Sequence, residues 1–445
     1  MKPRKLTKED IDKVRHIEGL PIGKDEDIIA LSNAPYYTAC PNPFIEEFIN
    51  GCGKKYDEVD DDYHIEPYTD DVAEDKHDLI YNIHGYHTKV PPKAIMKFIE
   101  HYTNKGDIVF DGFCGSGMTG VAAQLCEESS GMRNAIISDI SSYATFIAAN
   151  YNNPNNDTVI QELENLIEEI KRTKGSYYKT AHVKDNKIMQ SFIGDSIEGD
   201  INYVVWSCIY FCPHCNNEMI YYEILEKYNI KSTQAKFKCP NCNVEVERNK
   251  LGMKRSSDID LELGINTTLV ERVPVLINYS VGKKRFTKKP DDRDIEKLNE
   301  LNRMKIELYP KSEMLRGDET ERLFRVGITH VKQLYPRRAL YFLSEFYKVC
   351  RFDNKKLFLI TSALPKLTIL NRYMPEHGSR ALVGPRAGTY YLPPLFVEND
   401  VIGQLEFQLK KLKNLRYKKG NTLVTTQSTT DLSNIPENCI DYIFI

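Results

Sequence analysis

The chain has 445 residues, 41% apolar and 28% charged, which excludes a disordered chain, a collagen-like fibre and a bare coiled coil and leaves material for several cores. Lysine and arginine number 60 against 63 acidic residues, so the net charge of -3 excludes a globally basic nucleic-acid coat but not a local basic face. No apolar h-region follows Met1-Lys2-Pro3-Arg4-Lys5-Leu6, and no run reaches the roughly 18 apolar residues of a membrane helix. Eleven cysteines, an odd number, suit free thiols in a reduced, cytoplasmic setting better than a disulfide framework.

Residues 1–79 read as an N-terminal extension. It is turn-rich at Ser32-Asn33-Ala34-Pro35-Tyr36-Tyr37 and Pro41-Asn42-Pro43-Phe44, and its acidic run Asp57–Asp62 reads as a solvated loop. From 80 to 151 the pattern becomes regular. Pro91-Pro92 opens a helix to Tyr102 carrying Ile95, Phe98 and Ile99 on one face. Asp107–Phe110 predicts a buried strand ending at Asp111, and Met118–Cys126 a helix. Asn134–Asp139 predicts a second strand ending on an acid, and Ser142–Tyr151 another helix. This alternation predicts an α/β domain with a parallel sheet. A capping box, Thr158-x-x-Gln161, opens a third helix that Lys174-Gly175-Ser176 ends. Residues 152–422 are too many for one crossover, so they form an insert with at least one domain of its own. Residues 423–445 return to the first sheet, with Cys439–Ile445 as its next strand.

Between the first strand and its helix lies Asp111-Gly112-Phe113-Cys114-Gly115-Ser116-Gly117-Met118-Thr119-Gly120, which contains G-x-G-x-x-G. Glycine permits positive φ and close approach of backbone to a ligand. An acid ending the second strand, Asp139, can accept hydrogen bonds from ribose hydroxyls. Asp111, four positions before Gly115, suits a ligand that carries an ammonium group. S-adenosylmethionine has one and NAD has none.

These residues resemble a known family. Asp111–Gly117 looks like the D-P-F-x-G-x-G cofactor loop of amino-directed (N4-cytosine/N6-adenine) DNA methyltransferases, with Gly112 in place of proline. His87-Thr88-Lys89-Val90-Pro91-Pro92-Lys93-Ala94-Ile95 partly resembles the family segment beside the cofactor methionine. Thr430-Asp431-Leu432 and Ile435–Asn438 resemble the approach to the catalytic strand. The resemblance covers about residues 80–150 and 423–445, and the interior resembles large restriction–modification-type methylases more weakly. It implies a Rossmann-like, S-adenosylmethionine-dependent methyltransferase sheet and a cofactor set of His87, Thr88, Lys89, Pro91, Asp111, Gly112, Phe113, Cys114, Gly115, Ser116, Gly117, Asp139, Ile140 and Asp431. It also implies double-stranded DNA as substrate, adenine N6 or cytosine N4 as acceptor, and a restriction-system protein or a C-terminal half as partner.

The family's catalytic D-P-P-Y/F tetrapeptide is absent. Pro393-Pro394 is flanked by Leu392 and Leu395, and Ala34-Pro35-Tyr36 lacks the polar acceptor. The expected position is just after Ile445. The sheet is therefore expected to be incomplete, and this chain alone to transfer no methyl group. Two other readings share the motifs: an RNA or other amino methyltransferase, and a non-catalytic zinc-containing nucleic-acid-binding protein.

Within the insert, Cys212-Pro213-His214-Cys215 and Cys239-Pro240-Asn241-Cys242 are two C-x-x-C knuckles. Four thiolates complete a closed tetrahedral zinc site, structural rather than catalytic. β-rich flanks at Met219–Ile224 and Val244–Val246 suggest a zinc ribbon over about 205–250, inside a mixed α/β insert that would also hold the target-recognition region. His214 is expected at the surface. Lys283–Lys289 with Phe286, and Lys410–Lys419 with Tyr417, are candidate phosphate contacts with interleaved aromatics.

Overall fold

Short runs of buried β-branched and aromatic residues make the first sheet. Its strands are β1 (Ile108–Asp111), β2 (Asn134–Asp139), β3 (Thr422–Thr426) and β4 (Tyr442–Ile443). All are parallel, in the order β3-β2-β1-β4. Every residue of β1 and β3 is buried, as strands covered on both faces require. In this computed structural model residues 4–20, 23–32, 40–54, 56–59, 61–73, 77–154, 157–185, 187–190, 194 and 196–445 are described. The turn-rich stretch at Asn33–Tyr37 and Asp60 of the acidic run lie outside them.

The chain divides into two compact units. Unit 1 comprises Met1–Leu163, Cys350–Ser362 and Gln408–Ile445, and unit 2 comprises Glu164–Val349 and Ala363–Phe407. In unit 1 three helices follow the sequence pattern: α1 (Pro92–Tyr102), α2 (Met118–Leu125) and α3 (Ser142–Tyr151). Pro92 sits in the first turn of α1, where its missing N–H has no partner to lose. All of α2 is buried. Ser141 caps α3 by accepting from Ala144 N at 3.3 Å. Another part of the core joins Ile45 and Ile49 to Ile108, Phe110, Ile136 and Leu423. The β3-β2-β1-β4 order matches the first four places of the doubly wound arrangement, whose direction of progression reverses between β1 and β4.

Two boundaries differ from the sequence expectation. The strand foreseen over Cys439–Ile445 shortens to Tyr442–Ile443. Asn438 takes a left-handed φ of 54°, and the Asp441 carboxylate caps the sheet edge by accepting from Ile108 N at 2.7 Å. The next helix starts at Asp157, so Thr158 lies inside its first turn and does not cap it.

Unit 2 is centred on the strand Glu198–Phe211, which pairs antiparallel with Arg272–Val281 on one side and Leu395–Asn399 on the other. Arg272–Val281 continues into a hairpin with Lys284–Lys288 through Gly282, φ 57°. Phe211 also pairs with Glu218 of the short strand Glu218–Ile220. The β flank expected to reach Ile224 turns helical at Tyr221–Tyr228, because Tyr221, Ile224, Leu225 and Tyr228 repeat at helical spacing and pack into one core. Among the described residues no helix is long and apolar enough to cross a membrane.

Candidate functional site

The sheet register brings two acids to one edge. Asp111 ends β1 opposite Ile137, and Asp139 ends β2 two residues further on, opposite Thr426 of β3. The loop after β1 is fastened there by its own backbone. Cys114 N donates to Ser138 O at 2.9 Å, and Gly115 N donates to Asp139 Oδ2 at 3.0 Å. Asp139 Oδ1 accepts from Ser141 N at 2.8 Å, so one carboxylate positions both the glycine loop and the start of α3.

Two glycines have no substitute in this geometry. Gly117 has φ 75°, and a Cβ there would lie 2.5 Å from Ala148 Cβ. Gly115 has φ 50°, and its Cβ would come within 2.8 Å of the Tyr86 ring. Asn152 locks the far side by donating from Nδ2 to Gly117 O at 2.9 Å.

Asp111 is buried. Its carboxylate accepts from Phe113 N at 3.0 Å and from the Thr119 hydroxyl. Burial pushes its pKa above the ordinary carboxylate value, and the neighbouring charge of Asp139 adds to the shift. Ser116 and Cys114 are buried, and burial pushes the Cys114 thiol well up, so it is no nucleophile. Phe113 and Ile140, 65% and 63% exposed, stand free beside the loop, an arrangement suited to stacking on a ring. The carboxyl edge thus combines buried acceptors, a glycine cradle and exposed apolar side chains.

The segment before α1 reaches this edge through Tyr86 rather than through the residues named from sequence. His87 and Thr88 are exposed, and Thr88 has φ 59°. Lys89 turns inward: its ammonium donates to His84 O at 2.6 Å and to Tyr81 O, and burial lowers its pKa to about 8. Lys89 therefore shapes the loop. Pro91 forms the N-cap of α1. Asp431 sits in the loop after β3, where it accepts from Ser433 Oγ at 2.7 Å and Glu18 N at 3.2 Å. Gln427 links that loop to Asp139, donating from its amide to Asp139 O at 3.2 Å and from Nε2 to Asp431 O at 3.0 Å. Tyr86, Thr119, Ser141, Asn152 and Gln427 escaped the sequence reading. Only Thr119 and Ser141 carried a signal, as hydroxyls one or two places from motif residues.

In unit 2 the four knuckle cysteines converge. Cys212 Sγ and Cys242 Sγ are 3.7 Å apart, Cys215 Sγ and Cys239 Sγ are 3.8 Å apart, and all four sulfurs lie within 4.8 Å of one another. A tetrahedron with metal–sulfur bonds of about 2.3 Å has edges of about 3.8 Å, so the donor set fits. The two knuckles repeat one backbone pattern. Asn216 N donates to Cys212 O at 2.8 Å and Asn243 N to Cys239 O at 3.0 Å, and both asparagines have left-handed φ, 54° and 58°. His214 is exposed and outside the cluster.

The basic stretches are less available than their composition suggests. Lys288 is buried against Asp291 and Asp294, at 2.7 and 2.8 Å. Phe286 packs on Tyr279 and His182. Arg416 pairs with Asp157 at 2.7 Å, Lys418 pairs with Glu127, and the buried Tyr417 hydroxyl donates to Tyr151 O. Neither aromatic is free to stack on a base. Lys283, Lys284, Arg285 and Lys289 remain exposed.

Comparison with protein-family models matches residues 24–153 to a DNA methylase family and residues 93–263 to the D12 class of N6 adenine-specific DNA methyltransferases. Both matches contain the glycine loop and Asp139, and the second also contains the four knuckle cysteines. No curated protein and no solved structure matches the chain.

Proposed function

We propose, on the premise that this chain belongs with the amino-directed DNA methyltransferases its two family matches support, that unit 1 holds S-adenosylmethionine at the carboxyl ends of β1 and β2. The observation that carries the reading is the pairing of a buried acid, Asp111, with a second acid, Asp139, across a glycine loop whose positive-φ residues leave no room for a Cβ. Crevices outside the carboxyl ends of parallel strands, where strand order reverses, are the usual ligand sites of such sheets. Asp111 would accept the cofactor ammonium group, Asp139 the ribose hydroxyls, and Phe113 and Ile140 would flank the adenine.

When bound, the cofactor supplies an electrophilic methyl group. The chain's residues orient it: the loop fixes the amino-acid end, and β4, beside β1, points its carboxyl end toward the space where an acceptor amine would enter. The match to an adenine-specific class favours adenine N6 over cytosine N4. The target base would have to leave the duplex, at a cost of a few kcal/mol. Residues 1–445 contain no Asp-Pro-Pro-aromatic sequence to hold that amine. Cofactor binding without methyl transfer is thus the expected behaviour of this chain by itself, and methylation of duplex DNA by it would overturn that part of the reading.

The four cysteines would hold zinc as a fold-stabilising ion, with no open position for chemistry. The experiment for the cofactor is calorimetry with sinefungin. Asp111→Asn removes a charge-assisted contact of about 1.5–3 kcal/mol and should weaken binding roughly 10- to 150-fold. Affinity should also fall as the pH drops toward the raised pKa of Asp111, at a higher pH than an ordinary carboxylate would give, because only the ionised form attracts an ammonium group. Unchanged affinity in Asp111→Asn would remove the basis of the assignment.

A further inference from the structure

A cavity of about 350 Å³ lies within unit 2. Strand register explains its lining. Trp206 on the central strand pairs with Phe396 on one neighbour and Pro274 on the other. Arg272, two residues before Pro274, and Glu398, two after Phe396, share their face. The Trp206 and Phe396 rings lie 5.9 Å apart and 7° from parallel, forming a flat aromatic wall, and the Arg272 guanidinium sits 5.0 Å from the centre of Phe396.

The fold itself satisfies the acid here. Glu398 accepts from Trp206 Nε1 and from Arg338 Nε, each at 2.6 Å. Two lining residues keep a buried donor with no partner, Arg272 at Nη1 and Gln333 at Nε2. The Gln333 amide cannot be turned to relieve this. Its Oε1 already accepts from Thr329 N at 2.7 Å and His330 N at 2.9 Å, and the flip would set its NH2 against two N–H donors. Native proteins rarely leave such groups unpaired, and a pair of them on one cavity signals an absent acceptor.

We infer that this cavity binds a planar heteroaromatic ring presenting two adjacent acceptors on one edge, the O6/N7 edge of guanine being the nucleobase that does so. The volume falls in the range of small-ligand sites. The flat wall offers a stacking surface, and the planar guanidinium suits paired acceptors. Adenine, which places an N–H2 donor beside N7, would set donor against donor. This site is separate from the cofactor loop and does not depend on the methyltransferase reading.

Trp206 is the only tryptophan in the chain, so its emission reports on this cavity directly. The full chain is titrated with guanosine monophosphate, with adenosine monophosphate, and with a single-stranded DNA oligomer containing one guanine. A saturable change in Trp206 emission with guanine ligands, at least tenfold weaker with adenine, is expected. Response to the mononucleotide identifies a free nucleotide as the source, and response to the oligomer alone identifies a base within a strand. Arg272→Met and Gln333→Leu should each weaken the response tenfold or more. Sinefungin binding, measured in parallel, should be unchanged in both variants and shows that the chain is still folded. Equal response to adenine and guanine, no response to either, or undiminished response in both variants would overturn the inference.

Discussion

The glycine loop of unit 1 and the cysteine knuckles of unit 2 both use left-handed backbone to gather polar atoms, but they differ in what they contain. The knuckles supply their whole ligand sphere. Four sulfurs from two short turns already stand at the separations a tetrahedral metal needs. The loop supplies half of one. Its carboxylates are held by Thr119, Phe113, Gly115 and Ser141, and the remaining lone pairs await a ligand. A site built wholly from its own chain can be judged from distances, whereas a cradle is judged by what it prevents, here a side chain at Gly115 or Gly117.

The largest expected effect separates the two directly. Structural zinc binding is worth about 10 kcal/mol or more, so Cys212→Ser or a strong chelator should unfold the ribbon and release one zinc per chain. Metal analysis and circular dichroism read this, and a chain without stoichiometric zinc would break the contrast. In the loop, Gly117→Ala combines left-handed strain with a clash against Ala148, an expected loss of about 2–4 kcal/mol together with cofactor affinity. Thermal melting and calorimetry check it, and a stable variant with intact affinity would show that the cradle is not tight.

The third prediction concerns pH. Burial lowers the pKa of His84 to about 4, and its ring stacks on Phe358 at 4.9 Å. The unfolded chain takes up this proton near pH 6.5 and the folded one only near 4, so the contribution is complete above 6.5 and lost as pH falls. The loss amounts to about 3 kcal/mol by pH 4. Denaturant melts across that window should flatten in His84→Gln, and an unchanged slope would refute the assignment. The smallest effect belongs to the exposed cations. Replacing Lys283 and Lys284 by Ala should lower the salt slope of duplex DNA binding by about 0.9 for each phosphate these lysines neutralise. No change in slope would remove this hairpin from any DNA interface.

Much of unit 1 was legible in the sequence because its signals are local. A strand buried on both faces is a short apolar run, a glycine must stand where φ is positive, and an acid at a strand end is visible as such. C-x-x-C spacing likewise dictates a knuckle. What the tertiary structure alone decided is which side chains meet across long separations. It placed Tyr86 against Gly115 and joined Asp139 to the loop at 427–431. It turned Lys89 and Lys288 inward, and it set Trp206, Phe396 and Arg272 on one face of a sheet. Lysine patterns misled because charge in a sequence does not show its partner: Asp291 and Asp294 for Lys288, backbone carbonyls for Lys89. Local geometry is written in neighbouring residues, but pairing energy depends on groups the fold brings together from hundreds of positions away.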